Sequence, residues 1–434
     1  MRADDRELLR LAVPALGALI AEPLYLLTDT AIVGRLGTES LAGLSVASAI
    51  LLTGFSVFLF LAYGTTAAVS RLLGAGEQRD AAGQAVQGLW LAGVVGVILA
   101  GAGWVSGPAM ISLLGADGAV ATEAWTYLRI SLFGLPPLLV SLAGVGYLRG
   151  SRDTRTPLLI AGVTAVGNGV LEWVLIVGFG RGIGASALAT VLAQYVAGLV
   201  YVVKVVGAAH GLGAELRFIP ARVVRLLVVG LHLLVRTAAL RGSLLVGVAV
   251  ATRLGTTEVA AYEVAFQIWT LLALALDALA IAAQSLVGHA LGAGDADGAR
   301  RVGRSALRLS LWAGVLFAVV LLAGRTPVAA LFSNDDAVVA LTGFSLLFVA
   351  AMQPLNGLVF ALDGILIGAG DERFLARAMA VAFLGYAPCA VAVGVTGAGL
   401  GWLWGALLLF MATRWLVLQR RFDGDRWLVT GAVR

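Results

Sequence analysis

Two acids on one apolar segment are the residues of this chain best suited to chemistry. Glu22 and Asp29 lie seven residues apart within the stretch 8–33, and on a helix that spacing puts them two turns apart on one face. Pro23 stands between them and lacks an amide donor, so the backbone should kink there and free a carbonyl. A titratable group and a hinge are thereby combined in one element. A carboxylate inside a membrane span costs roughly 2.5–3.5 kcal/mol on insertion scales, so one that persists is a functional hypothesis by default. Farther along, Asn168 and Glu172 stand at i and i+4 and project toward a common point. An amide beside a carboxyl satisfies either its charged or its neutral form, as a protonation switch requires.

A second group of polar residues lies in the other half of the chain. Asp277 shares a face with Gln284, and Asp363 with Asn356, again at seven-residue spacing; Gln267 precedes Asp277 on the same segment. These side chains either line a polar cavity or pair with Arg236 or Arg241, and the sequence leaves both readings open. Cys389, the single cysteine, excludes an intramolecular disulfide and any multi-cysteine metal site; in its apolar segment it reads as a small core residue. No metal site is expected.

These residues must be positioned by membrane-spanning helices. A chain of 434 residues that is 60% hydrophobic and 13% charged would expose far more apolar surface than a water-soluble fold tolerates. Apolar stretches long enough to cross a core of roughly 30 Å recur near 8–33, 41–73, 83–104, 120–148, 156–179 and 183–206, then near 223–252, 258–291, 303–323, 337–368, 374–394 and 397–419. The expected fold is an all-α polytopic membrane protein with twelve transmembrane helices. The run 41–73 approaches about 50 Å at 1.5 Å per residue, so it should tilt or project beyond the bilayer.

Only Arg35, Arg181, Arg253 and Arg325 fall on the odd-numbered connections, and Arg129, Arg236, Arg241 and Arg308 fall within spans. The other basic residues gather at the termini and even-numbered connections, which puts both termini in the cytoplasm. The net charge of +5 is thus mostly a topology signal, and no nucleic-acid partner is expected. The first apolar segment is too long, and carries too many acids and prolines, for a cleavable signal peptide.

The twelve spans are two sets of six. At an offset of 218 residues, Arg35-Leu36-Gly37-Thr38 meets Arg253-Leu254-Gly255-Thr256, Leu73-Gly74-Ala75-Gly76 meets Leu291-Gly292-Ala293-Gly294, and Pro136, Gly146, Gly150 and Asp153 meet Pro354, Gly364, Gly368 and Asp371. That register marks an internal duplication. It divides the chain into an N-terminal six-helix bundle (1–206), a cytoplasmic linker (207–222) and a C-terminal six-helix bundle (223–434), related as parallel repeats in the manner of many secondary transporters. The acids do not repeat: Asp29 falls opposite Gly247, Glu22 opposite Leu240, Glu172 opposite Ala390 and Asp363 opposite Val145. The frame is duplicated and the chemistry is not.

The segment Leu148 to Pro157, with Leu-Arg-Gly-x-x-Asp-Thr-x-x-Pro, combines with Asp29-Thr30-Ala31-Ile32-Val33-Gly34 and the duplicated Leu-Gly-Ala-Gly-Asp/Glu. This set resembles the multidrug and toxic compound extrusion (MATE) family, in its DNA-damage-inducible protein F (DinF) branch. The resemblance implies a V-shaped pair of bundles that exports amphipathic, mostly cationic small molecules in exchange for protons or sodium, without a cofactor. It implies coupling roles for Asp29, Asn168, Glu172 and Thr190, with Glu standing at 172 where the wider family has Asp. The acidic pair that some branches carry in the seventh and tenth helices is missing here, which favours protons over sodium. A monomer in a bacterial inner membrane is the expected setting.

Two rivals share the membrane but not the chemistry. A lipid-linked precursor flippase of the same superfamily would need basic residues for pyrophosphate, and only Arg236 and Arg241 qualify. An intramembrane enzyme lacks its motif: the histidines are His210, His232 and His289, and no His-Glu-x-x-His or Ser/His arrangement is present. An ATP-driven pump would need a phosphate loop with its lysine, whereas the only lysine is Lys204.

Overall fold

The computed structural model describes residues 3–432, with the backbone alone at residues 55–57. Among them are fourteen α-helices and no strand: α1 (Ala3–Val33), α2 (Thr38–Val57), α3 (Phe60–Gly74), α4 (Gln78–Leu113), α5 (Gly118–Ser131), α6 (Leu135–Gly150), α7 (Arg155–Trp173), α8 (Ile183–Gly211), α9 (Pro220–Leu254), α10 (Thr256–Gly292), α11 (Ala296–Ala330), α12 (Asp336–Gly368), α13 (Glu372–Thr396) and α14 (Leu400–Asp423). The fourteen make twelve crossings. Eleven segments are long and apolar enough to cross a membrane unaided, and the twelfth is the pair α2 and α3.

The two broken crossings have local causes. In the long run 41–73, α2 ends at Val57 and α3 begins at Phe60, where the amides of Leu61 and Ala62 bond back to the carbonyls of Phe58 and Leu59. Interruption, rather than a straight projecting rod, is how this run is accommodated. Between α5 and α6 a 3₁₀ turn covers Leu132–Gly134. Pro136 and Pro137 follow it, and their missing amides cannot continue an α-helical ladder. By contrast α1 runs as one helix through Pro14 and Pro23.

The chain divides into two compact units. One holds Gly17–Gly230; the other groups residues 3–16 with Leu231–Arg434. The divisions therefore fall inside α1 and α9, not in the connection at 207–222. That connection is bound to the first of these units: Gln87 on α4 donates to the Arg217 carbonyl (2.8 Å) and accepts from the Ile219 amide (2.8 Å), while Trp90 donates to the Leu216 carbonyl (2.9 Å). In the second unit Asp5 on α1 pairs with Arg308 on α11. The chain ends, expected on the cytoplasmic side, lie outside the described residues.

The sequence repeat is a repeat of geometry. After α3, the amides of Ala75, Gly76 and Glu77 bond to the carbonyls of Arg71, Leu73 and Leu72; after α10, those of Ala293, Gly294 and Asp295 bond to His289, Leu291 and Ala290. Gly76 and Gly294 share φ +80, the left-handed residue that this kind of helix end demands. Helix crossings repeat too. A Cβ on Gly96 of α4 would stand 2.5 Å from the Pro136 Cα, and one on Gly314 of α11 would stand 2.7 Å from the Pro354 Cα. Gly146 lies against the Ala62 carbonyl and Gly364 against the Ala280 carbonyl in the same way. Small residues at these points let backbones touch, which supplies the dispersion contact that holds helices together in lipid.

One side chain sits elsewhere than expected. Cys389 is exposed on α13, not in a core. Its apolar segment has one outward face, and an apolar run does not reveal which face that is.

Candidate functional site

In the unit Gly17–Gly230, four helices converge on Asp29. The residue is 2% exposed, close to the end of α1 and under an apolar cluster that includes Ile32, Val33, Leu44, Leu128, Ile176 and Ile183. Its carboxyl accepts from the Ser186 hydroxyl of α8 (2.5 Å) and from the Tyr127 hydroxyl of α5 (3.3 Å). Glu172 of α7 is fully buried beside the Asp29 carboxyl and Ser186. Neither of its oxygens has a hydrogen-bond partner. Two carboxyl groups thus meet in a site without bulk water.

A chain of neutral groups lies next to the pair. Thr190 on α8 shares a hydrogen bond of 2.6 Å with the Tyr25 hydroxyl and accepts from the Asn168 amide at 3.3 Å. The i, i+4 spacing of Asn168 and Glu172 on α7 delivers both side chains to this spot, as the sequence indicates. Immediately afterwards α7 gives way to a π turn at Val174–Gly178, a distortion often found at functional sites. Above it the Arg35 guanidinium lies 4.8 Å from the centre of the Trp173 ring.

Beside this cluster is a cavity of 330 Å³, at the small end of the roughly 300–1,000 Å³ usual for ligand sites. Its wall is largely aliphatic, drawn from α1, α2, α5, α6, α7 and α8, with Glu22, Tyr25, Tyr127, Thr190, Gln194 and Tyr201 as the larger polar members. Asp29 and Glu172 are not on the wall.

The structure therefore brings together Asp29, Asn168, Glu172 and Thr190, and sets Glu22 two turns away on the cavity wall. Tyr25, Tyr127 and Ser186 escape the sequence reading. Tyr25 precedes Asp29 by four residues, and Ser186 precedes Thr190 by four, so a search for hydroxyls one turn from each candidate would have found both. No comparable spacing points to Tyr127.

The other candidates lie in the unit containing Leu231–Arg434 and do not line this cavity. Asp363 is held by two guanidinium groups, Arg236 of α9 and Arg414 of α14, each 2.6 Å from the same oxygen. With its side chain 7% exposed, it is an ion-pair centre, the pairing alternative of the two that the sequence leaves open. Arg236 is the partner foreseen; Arg414 is not. Gln284 and Asn356 are buried, the Asn356 oxygen without a partner, Asp277 is partly buried, and Gln267 is exposed. Among the described residues, no group of three or more His, Cys, Asp or Glu could hold a metal ion.

The equivalent of Asp29 in this unit shows why the acids do not repeat. A Cβ on Gly247 would meet the hydroxyls of Tyr262 and Tyr386. Tyr386 stands where Asn168 stands in the first repeat. Aromatic rings fill the volume in which the other unit holds its carboxyl pair, with Tyr262 also against Trp404 at 5.1 Å and Tyr386 against Phe410 at 5.6 Å.

Comparison with known proteins gives a consistent result at three levels. A family model described as MatE matches residues 14–174 and 234–392. The chain is 32% identical over 421 residues to "Protein DETOXIFICATION 44, chloroplastic" of Arabidopsis thaliana, covering 94% of this chain and 80% of that protein. It is 30% identical over 437 residues to "DNA damage-inducible protein F" of Escherichia coli (strain K12), covering 98% of this chain and 95% of that one. Among solved structures, the Vibrio cholerae MATE transporter VcmN in the bent form superposes with a TM-score of 0.89, at 22% identity and 98% coverage of both chains.

Proposed function

The chain belongs to the MATE family of multi-pass membrane transporters, and we propose that it is a proton-coupled exporter of amphipathic cations in a bacterial inner membrane, acting as a monomer with both termini in the cytoplasm. One observation carries the coupling: a carboxyl pair, Asp29 and Glu172, is buried next to, but not on, the wall of a small apolar cavity. Ser186 and Tyr127 supply donors to Asp29, and Glu172 has none. A buried pair with that asymmetry suits uptake and release of protons.

Export then follows from competition. When the pair carries its full negative charge, a cation in the neighbouring cavity is favoured. When protons arrive from outside, the charge is lost, α1 bends near Pro23, and the cavity contracts and expels its contents. Release of the protons to the cytoplasm restores the first state. Linkage requires that proton and substrate weaken each other's binding equally. The ionisable groups facing Asp29 are Tyr25 on its own helix, Tyr127 from α5 and Glu172 from α7; α8 brings only hydroxyls.

The test is substrate-dependent dye efflux in proteoliposomes under separately imposed proton and sodium gradients. Export driven by the proton gradient alone, and abolished in Asp29→Asn, is the expected result. Export driven by sodium alone would replace the proton in this scheme. The flippase reading is disfavoured because Arg236 is engaged by Asp363 and, among the described residues, the cavity wall carries no basic one.

A further inference from the structure

We infer that Glu22 is the anchor for the substrate's positive charge, separate from the carboxyl pair that carries the proton, and that this one carboxylate sets a preference for a single over a double charge. The inference rests on the export function proposed above and divides its labour between two sets of acids.

Three observations lead to it. Among the described residues, Glu22 is the only one with a formal charge on the cavity wall, which has no Lys, Arg or His. Asp29 and Glu172 lie behind that wall, and the side chains in between are Tyr25, Tyr127 and Thr190, whose hydroxyls are already engaged with one another or with Asp29. A substrate in the cavity therefore meets Glu22 directly and reaches the pair only through those hydroxyls. Finally, among the described residues Glu22 has neither a hydrogen-bond nor an ion-pair partner, although it projects from the middle of an apolar helix. A carboxylate so placed is costly unless something pairs with it. A cationic ligand would pair with it.

The rest of the wall narrows the class. Tyr25, Tyr127 and Tyr201 are among the residues lining the cavity, and aromatic rings attract organic cations that shed their water. The aliphatic remainder favours flat apolar skeletons over polar ones. One carboxylate balances one charge; a dication would carry its second charge unpaired into an apolar site. The other repeat offers no second anchor at the matching place, where Leu240 stands.

Equilibrium binding to the purified full-length protein, followed by ligand fluorescence at one pH, tests this without any gradient. Ethidium is a permanent aromatic monocation, phenanthridine its uncharged ring system and propidium a dication built on the same rings. The wild-type protein should bind ethidium at least ten-fold more tightly than either of the others. Glu22→Gln should weaken ethidium ten-fold or more while phenanthridine changes less than two-fold, and Glu22→Asp should recover most of the preference. Asp29→Asn, which removes a charge behind the wall, should lower the ethidium-to-phenanthridine ratio by less than Glu22→Gln does. A ratio unchanged in Glu22→Gln, or one lost in Asp29→Asn and kept in Glu22→Gln, would overturn the assignment. So would tighter binding of propidium than of ethidium. Because no proton flux enters these measurements, the role of Glu22 would stand even if proton coupling failed in proteoliposomes.

Discussion

Asp29 is distinguished by its neighbours more than by its burial. A hydroxyl that donates to an ionised carboxylate contributes about 1.5–3 kcal/mol, and Ser186 makes that bond at 2.5 Å. Its removal in Ser186→Ala withdraws support from the charged form alone. Proton-driven dye efflux from proteoliposomes should then slow by about ten-fold or more at the same gradient. In Asp29→Asn it should be lost. An efflux rate unchanged in Ser186→Ala would detach this serine from the switch. The acids themselves were legible in the sequence because a carboxylate in an apolar span stands out against its surroundings. Ser186 and Tyr127 were not, because hydroxyl-bearing residues are common in membrane helices and satisfy themselves on their own backbone, as Thr30 does on Leu26 and Ser45 on Leu41. Asp363 marks the opposite limit: its seven-residue spacing from Asn356 suggested a shared polar face, and it took the fold to bring Arg414 from α14 against it.

Between elements, contact is governed by residues with almost no side chain. Gly364 on α12 lies against the Ala280 carbonyl of α10, and Gly146 on α6 occupies the matching place against Ala62 of α3. Backbone cannot withdraw as a rotamer can, so a methyl at either site must push two helices apart. Overpacking of this kind costs roughly 1–3 kcal/mol. Gly364→Ala should therefore lower the melting temperature of the detergent-purified protein by several degrees, and Gly385→Ala, where a Cβ meets nothing within 4 Å, should leave it nearly unchanged. Equal melting points for the two variants would show that the α10–α12 crossing is looser than its geometry. The 218-residue repeat made these glycines visible as pairs before any contact was known. The interruption between α2 and α3 was not visible in the same way. Residues 41–73 form one unbroken apolar run, and a helix break whose loose ends are retied by turn bonds, as at Leu61 and Ala62, needs no proline or charge to announce it. Pro136 and Pro137 do announce the corresponding break before α6.

For the whole molecule the duplication is what permits asymmetry. Six crossings per repeat return the chain to the side on which it started, so both halves share one orientation, and one half can carry a carboxyl pair while the other fills the equivalent volume with Tyr262 and Tyr386. The direction of the proposed proton flow would depend on that orientation, because α1 ends at Val33 and α7 at Trp173, on the side opposite the arginine-rich connections. The positive-inside rule puts this end of Asp29 and Glu172 toward the exterior, where an inward proton gradient would be felt first. Cysteine labelling tests the orientation. Native Cys389 is exposed and must first be replaced by alanine. Single cysteines at Asp117 and Asn334, in the turns after α4 and α11, should then react with an impermeant maleimide added to whole cells, and one at Glu77, after α3, should react only once the membrane is opened. Asp117 is preferred to neighbouring Gly115, whose φ of +80 would strain any cysteine put there. If Glu77 were the site labelled in whole cells and the other two were silent, the carboxyl pair would lie nearest the cytoplasm. Protons would then reach it from the wrong side for export, and the exchange proposed for this chain would have to run as import.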